Sequence, residues 1–96
     1  MRRAAKKDDN HVEIVAAFRA IGAFVFDVAQ LKNACDIIIV YHGRTLAVEI
    51  KDGSKVASKR RMTPGEAEFK QSWELAGGEH KIIETVEDVM SWRLTP

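Results

Sequence analysis

Cysteine, net charge and long apolar runs are all scarce in this chain. A single cysteine, Cys35, stands among 96 residues, which excludes an internal disulfide and a multi-thiol zinc site and suits a reducing compartment. No apolar run approaches the length of a membrane span, and the N-terminus lacks a signal-peptide layout, so a cytoplasmic protein with no membrane partner is expected. Fifteen Lys and Arg against fourteen Asp and Glu leave a formal charge of +1. Whole-chain charge therefore does not announce a nucleic-acid binder.

The distribution of charge says more. Arg2, Arg3, Lys6 and Lys7 crowd the start, Lys55, Lys59, Arg60 and Arg61 crowd the middle, and acids dominate the last third. Hydrophobic residues at 46% and charged ones at 30% are ordinary for a soluble globular protein, and a chain of this length can bury one modest core.

The most informative stretch runs from Ala34 to Lys51. Both halves are rich in β-branched residues, and His42-Gly43 between them can take the positive φ of a tight hairpin turn. If those two residues are the turn, Tyr41 lies opposite Arg44 and Asp36 opposite Glu49, with Cβ atoms about 5 Å apart where like charges repel. Lys51 shares their face, because strand side chains alternate with period 2. A four-residue turn would instead set Asp36 against Lys51, with all three still on one face. An ion pair on an exposed sheet would be the bland explanation. Yet Leu46, Val48 and Ile50 cover the opposite face, and the unbroken run Ile37 to Val40 suggests a strand buried on both sides. Acids placed beside buried strands need a partner. A hard divalent cation such as Mg²⁺ takes carboxylate oxygens and can bring a phosphate and a water together.

In chain order, Met1 to Asp9 reads as a flexible basic arm and residues 10–96 as one domain. Asn10 as N-cap with Glu13 three residues on predicts a capping box and a helix to about Ile21, buried through Ile14, Phe18 and Ile21. Ala23 to Val28 reads as a strand carrying Phe24, Phe26 and Val28 on one face. Gln30 to Ala34 is a polar connection in which Lys32 could meet a phosphate. After the hairpin, Asp52 to Met62 is polar and cationic and reads as a mobile loop. Lys55, Ser58, Lys59, Arg60 and Arg61 there suit phosphate contacts that position nucleic acid without reading its sequence. Thr63-Pro64-Gly65-Glu66 is a helix start with its own capping box, followed by the apolar stripe Phe69, Trp73 and Ala76 and the stop Gly77-Gly78. Glu66 lies near the buried side, so it is either a cap or an additional site residue. A strand over His80 to Ile83 and a final helix capped by Thr85, packing through Val86, Val89, Met90 and Trp92, complete the chain. The fold class is α/β: a mixed sheet in the order α-β-β-β-α-β-α, three strands antiparallel and the fourth added by a parallel crossover.

An acid on the first helix, an Asp opening one strand and Glu-x-Lys ending the next resemble the PD-(D/E)XK nuclease superfamily. The span from Glu13 to about Met90 resembles, more narrowly, the small stand-alone VRR-NUC (virus-type replication-repair nuclease) domains familiar from phage genomes. The matching residues are Asp36-Ile37-Ile38, Val48-Glu49-Ile50-Lys51-Asp52-Gly53, the basic loop, and Met62-Thr63-Pro64-Gly65-Glu66 with Phe69. Two departures stand out: Cys35 where the family has Pro, and Glu66 where it has Gln.

The resemblance implies a restriction-endonuclease-like fold and Mg²⁺ or Mn²⁺ held by Asp36, Glu49, the backbone carbonyl of Ile50 and Glu13. It implies that Lys51 orients the attacking water. It also implies structure-selective cleavage of branched DNA, such as flaps or four-way junctions, in repair, recombination or replication in a bacterial or phage-infected cell, with no nucleotide cofactor. A domain this small is expected to work as a homodimer, with exposed apolar residues such as Trp73 or Trp92 at the interface. Two other classes stay open: a silent DNA-binding or scaffolding module on the same fold, and a metal-dependent hydrolase of small phosphate esters.

Overall fold

The computed structural model describes residues 9–55 and 61–96. The expected basic arm, apart from Asp9, lies outside the described residues, as do Ser58, Lys59 and Arg60. The element order is α1 (His11–Ala20), β1 (Phe24–Asp27), β2 (Ile37–Tyr41), β3 (Arg44–Ile50), α2 (Pro64–Leu75), β4 (Glu79–Ile83) and α3 (Val86–Leu94). The four strands form one sheet in the order β1-β2-β3-β4. The first three pair antiparallel and β4 joins β3 in parallel. This is the α-β-β-β-α-β-α order that the sequence predicts.

His42 and Gly43 carry the turn at φ +48° and +80°, and Tyr41 pairs with Arg44 and Ile37 with Val48. Register is set by that turn, because a one-residue slip would exchange the two faces of both strands. Val25, Ile37, Ile39, Leu46, Val48 and Ile50 point to one face, where Ile14 and Phe18 of α1 and Val89 and Trp92 of α3 complete the main core. On the other face Ala47, Val28 and Cys35 make a smaller cluster against Phe69 and Trp73 of α2.

Several expectations change on packing grounds. Asn10 starts α1 but makes no side-chain cap; its amide instead donates to Lys51 O at 3.0 Å and Glu84 O at 2.8 Å. Trp92 is buried, edge-on to Phe18 and under the Arg44 guanidinium at 4.2 Å. Its indole donates to Glu79 Oε2 at 2.7 Å. Trp73 is half-buried and donates to Glu79 O at 2.7 Å. Neither tryptophan offers the exposed dimer contact expected of it. Met90 and Ala76, expected to pack, are exposed.

Arg44 binds three segments. Its guanidinium meets the Glu79 carboxylate at 2.6 Å and donates to Thr95 O at 2.6 Å, so β3, β4 and the end of α3 share one cation. The two remaining helix starts follow their sequence signals: Thr63 with Glu66, and Thr85 with Asp88, form full capping boxes.

His80 opposes Ala47 beneath α2, and neither ring nitrogen has a hydrogen-bond partner. Burial depresses its pKa, Lys70 adds to the effect and Glu74 opposes it. A depressed histidine takes up its proton later in the folded chain than in the unfolded one. Stability is therefore full above the unfolded value of about 6.5 and falls as the pH drops through it, by at most about 1.4 kcal/mol per pH unit for one proton. Urea unfolding of His80→Leu between pH 7.5 and 5.5 is expected to show a shallower loss than the parent chain.

Candidate active site

Four charged side chains converge at the end of the hairpin, on the face that α2 partly covers. Asp36 lies just before β2, with its N–H donating to Val48 O at 3.0 Å and its Oδ2 accepting the Ile50 N–H at 2.7 Å. That bond ties the carboxylate to the chain between Glu49 and Lys51. Glu49 is 2% exposed, and its Oε1 is buried without a hydrogen-bond partner. Lys51 Nζ lies 3.6 Å from Glu49 Oε2 and 3.1 Å from Glu66 Oε1. The period-2 argument thus brings Asp36, Glu49 and Lys51 together as predicted.

Glu66 caps α2 and also reaches the cluster. Its Oε1 accepts the Thr63 N–H at 2.9 Å, closing the capping box, and also meets Lys51. Burial would raise its pKa, but the Thr63 N–H and Lys51 hold it below the ordinary value. Glu49 behaves oppositely. Burial first, then the Asp36 carboxyl, then the charge of Glu66 push its pKa up to about 10, against the weaker pull of Lys51. Cys35, in the position where the resembling family has Pro, donates weakly to Ile37 O at 3.5 Å. Burial and the charges of Glu49 and Asp36 push its thiol up to about 12, so it is no nucleophile at neutral pH.

A cavity of about 230 Å³ opens onto Asp36, Glu49 and Glu66, with Lys32 and Asn33 on its rim. Gly65 leaves no room for a Cβ against Asn33, so the start of α2 sits directly on the loop that leads into Asp36. Among the described residues, no three His, Cys, Asp or Glu side chains surround one point closely enough to hold a metal by themselves. Asp36 and Glu49 bring two carboxylates to this cavity, a set that Mg²⁺-type ions complete with water. The orphaned Glu49 oxygen fits such an ion.

Other nominated residues fall elsewhere. Glu13 is exposed and lines a separate hollow with Asp9, Asp52 and Glu84, not the cavity of Asp36 and Glu49. Arg61 is exposed just before α2, and Lys55, also exposed, pairs with Asp9 at 3.3 Å. The helix α1 serves the site through Asn10, whose amide holds the Lys51 carbonyl. Its signal was present as an N-cap residue type, but a carboxamide donates as well as accepts.

No family model matches the chain, and no curated protein does. A solved structure described as a VRR_NUC domain superposes with a TM-score of 0.66 at 15% identity, over 90% of this chain and 96% of that one. The fold is therefore VRR-NUC-like, with a restriction-endonuclease-like mixed sheet.

A neutral isostere tests the strain on Glu49. Its folded pKa lies above the unfolded one, so its contribution to stability is complete below about pH 4.5 and is lost progressively as the pH rises toward 10. Glu49→Gln is expected to stabilise the metal-free protein at pH 8 by about 1–2 kcal/mol, read by urea unfolding, with little difference at pH 4.5.

Proposed function

We propose that this chain is a divalent-cation-dependent nuclease that hydrolyses phosphodiester bonds in DNA, with branched DNA as its preferred substrate. The observation that carries the reading is the buried, unpartnered Glu49 oxygen beside Asp36, on a sheet shared with a VRR_NUC domain. Asp36, Glu49 and the carbonyl of Ile50 would hold Mg²⁺ or Mn²⁺. When bound, such a cation supplies positive charge to the phosphate oxygens and acidifies water.

The chain's own groups account for the rest. Asp36 is oriented by the Ile50 N–H, and Lys51, held between Glu49 and Glu66, presents an ammonium that orients the attacking water and favours its hydroxide form. Asn10 fixes the Lys51 backbone from below. Pre-set donors of this kind act where charge develops, and that is where they are worth most. Lys32, which lines the cavity, and the exposed Arg61 before α2 would contact flanking phosphates. Glu13 is assigned no role in this scheme.

One observation favours a second reading, a DNA-binding module without activity: Lys51 lies nearer to Glu66 than to Glu49. A gel comparing linear, flapped and four-way-junction DNA in Mg²⁺, Mn²⁺ or chelator separates the two. Metal-dependent products are expected from the parent chain. Lys51→Ala is expected to stay folded by circular dichroism and to lose about 100-fold or more of the cleavage rate. Normal turnover in that variant refutes the mechanism, and binding with no products under any metal supports the silent module.

A further inference from the structure

α2 is held more loosely than the other helices. α1 buries four side chains and α3 two, whereas no residue of α2 is fully buried. It rests on the sheet through the half-buried Phe69 and Trp73, through the Trp73 indole donating to Glu79 O, and through the pairing of Glu66 with Lys51. Gly77-Gly78 follows it, with Gly77 at φ +97°, a backbone state that glycine adopts without strain. Beneath the helix lies His80, 5% exposed, opposite Ala47 of β3 and with its ring centroid 6.4 Å from that of Phe69. Neither of its ring nitrogens has a hydrogen-bond partner among the described residues. An apolar side chain would fill that place without the cost of two orphaned polar atoms, so packing does not account for the imidazole.

We infer that α2 is a lid that lets go of the sheet when His80 takes up a proton, drawing Glu66 away from Lys51 and uncovering Cys35. With the lid closed the new charge is cut off from water, and lifting α2 restores that water. The groups around His80 set the sign. From α2, Lys70 opposes the proton and Glu74 favours it, the two being paired with each other at 3.0 Å. From β3 the ring faces Ala47, which carries no charge; Glu49 lies two residues farther on, opposite Ile82. Its β4 neighbours Glu79 and Lys81 alternate to the other face, where Glu79 meets Arg44 and Trp92. Cys35, in the cluster against Phe69 and Trp73, is a neutral thiol at neutral and acid pH. Because no acceptor is bonded to the ring, the proton is held more easily with the lid open. Opening therefore grows as the pH falls through about 6.5, the ordinary histidine value, and fades above it. The start of the same helix lines the cavity of Asp36 and Glu49 through Thr63 and Glu66, so the lid governs access to that cavity. None of this requires cleavage or a bound cation.

The test is the labelling rate of Cys35, the chain's single thiol, by a disulfide reagent that stays reactive in acid. Cys35 is 4% exposed, and Phe69 and Trp73 pack against its cluster. Each rate is divided by that of the urea-unfolded chain at the same pH, which cancels the thiol chemistry, and circular dichroism follows the fold, all without metal or DNA. Between pH 7.5 and 5.5 the parent is expected to label faster by up to about 10-fold, the span that one histidine with an ordinary open-state pKa supplies. His80→Leu is expected to stay flat. Lys70→Gln is expected to rise less than the parent and Glu74→Gln more, because the first removes what opposes the buried proton and the second what favours it. Both variants break the same surface pair, so a merely structural role for that pair moves them in one direction, and that result overturns the proposal. So does an equal rise in His80→Leu, a flat parent profile, or acid labelling that tracks loss of the circular dichroism signal, which is global unfolding. If His80→Leu does not fold, the opposed shifts of the two surface variants decide alone.

Discussion

An acid buried beside another acid is the constraint around which this molecule is arranged. Three carboxyls, Asp36, Glu49 and Glu66, face one ammonium, that of Lys51. Lys51 cannot neutralise all three, and the deepest of them, Glu49, answers by holding its proton far above the usual carboxylate range. Everything that fixes the cluster belongs to the fold: the His42-Gly43 turn sets the register, the Ile50 N–H holds Asp36, and Asn10 holds the Lys51 carbonyl. The strain is maintained by a rigid frame, which is how a small domain can keep a strained arrangement without relaxing it away.

The frame is lopsided. α1 and α3 close the main core on one side, and the Arg44 clasp locks α3 there through Glu79 and Trp92. Only α2 lies on the other side, and its N-terminal turn is spent on the site, with Glu66 both capping the helix and meeting Lys51. One helix cannot span four strands. Phe24, Phe26 and Val40 on that face stay exposed, while Val28 and Ile38, nearer the carboxylates, pack with Phe69 and Trp73.

Local pattern made most of this legible. The order of elements, the two-residue turn, the opposition of Tyr41 and Arg44, and the shared face of Asp36, Glu49 and Lys51 all follow from period-2 alternation and turn chemistry, which are properties of short segments. Side-chain burial at the ends of elements was not legible, because it depends on which distant helix arrives. Trp92 read both as a packing residue of the last helix and as an exposed dimer contact, and it is a core residue under Arg44. Phe24 and Phe26 read as one face of a strand, which they are, but no local signal tells that α2 stops short of covering them. Asn10 and Glu13 read as a capping box by type and spacing, yet Asn10 is drawn to two carbonyls remote in sequence and Glu13 is left in another hollow.

Glu66 shows how one substitution reaches the charge cluster. A Gln at that position, as in the resembling family, could still accept the Thr63 N–H through its carbonyl oxygen and so preserve the helix start. It would carry no charge to attract Lys51. With Glu there, the ammonium sits at 3.1 Å from Glu66 and only 3.6 Å from Glu49, and the charge of Glu66 adds to the pressure that keeps Glu49 protonated. A cation arriving between Asp36 and Glu49 would relieve that pressure and meet one more negative charge than a Gln-bearing site presents. The same carboxylate therefore strengthens the attraction for a cation while drawing Lys51 away from Glu49, so its two effects on the cluster oppose each other.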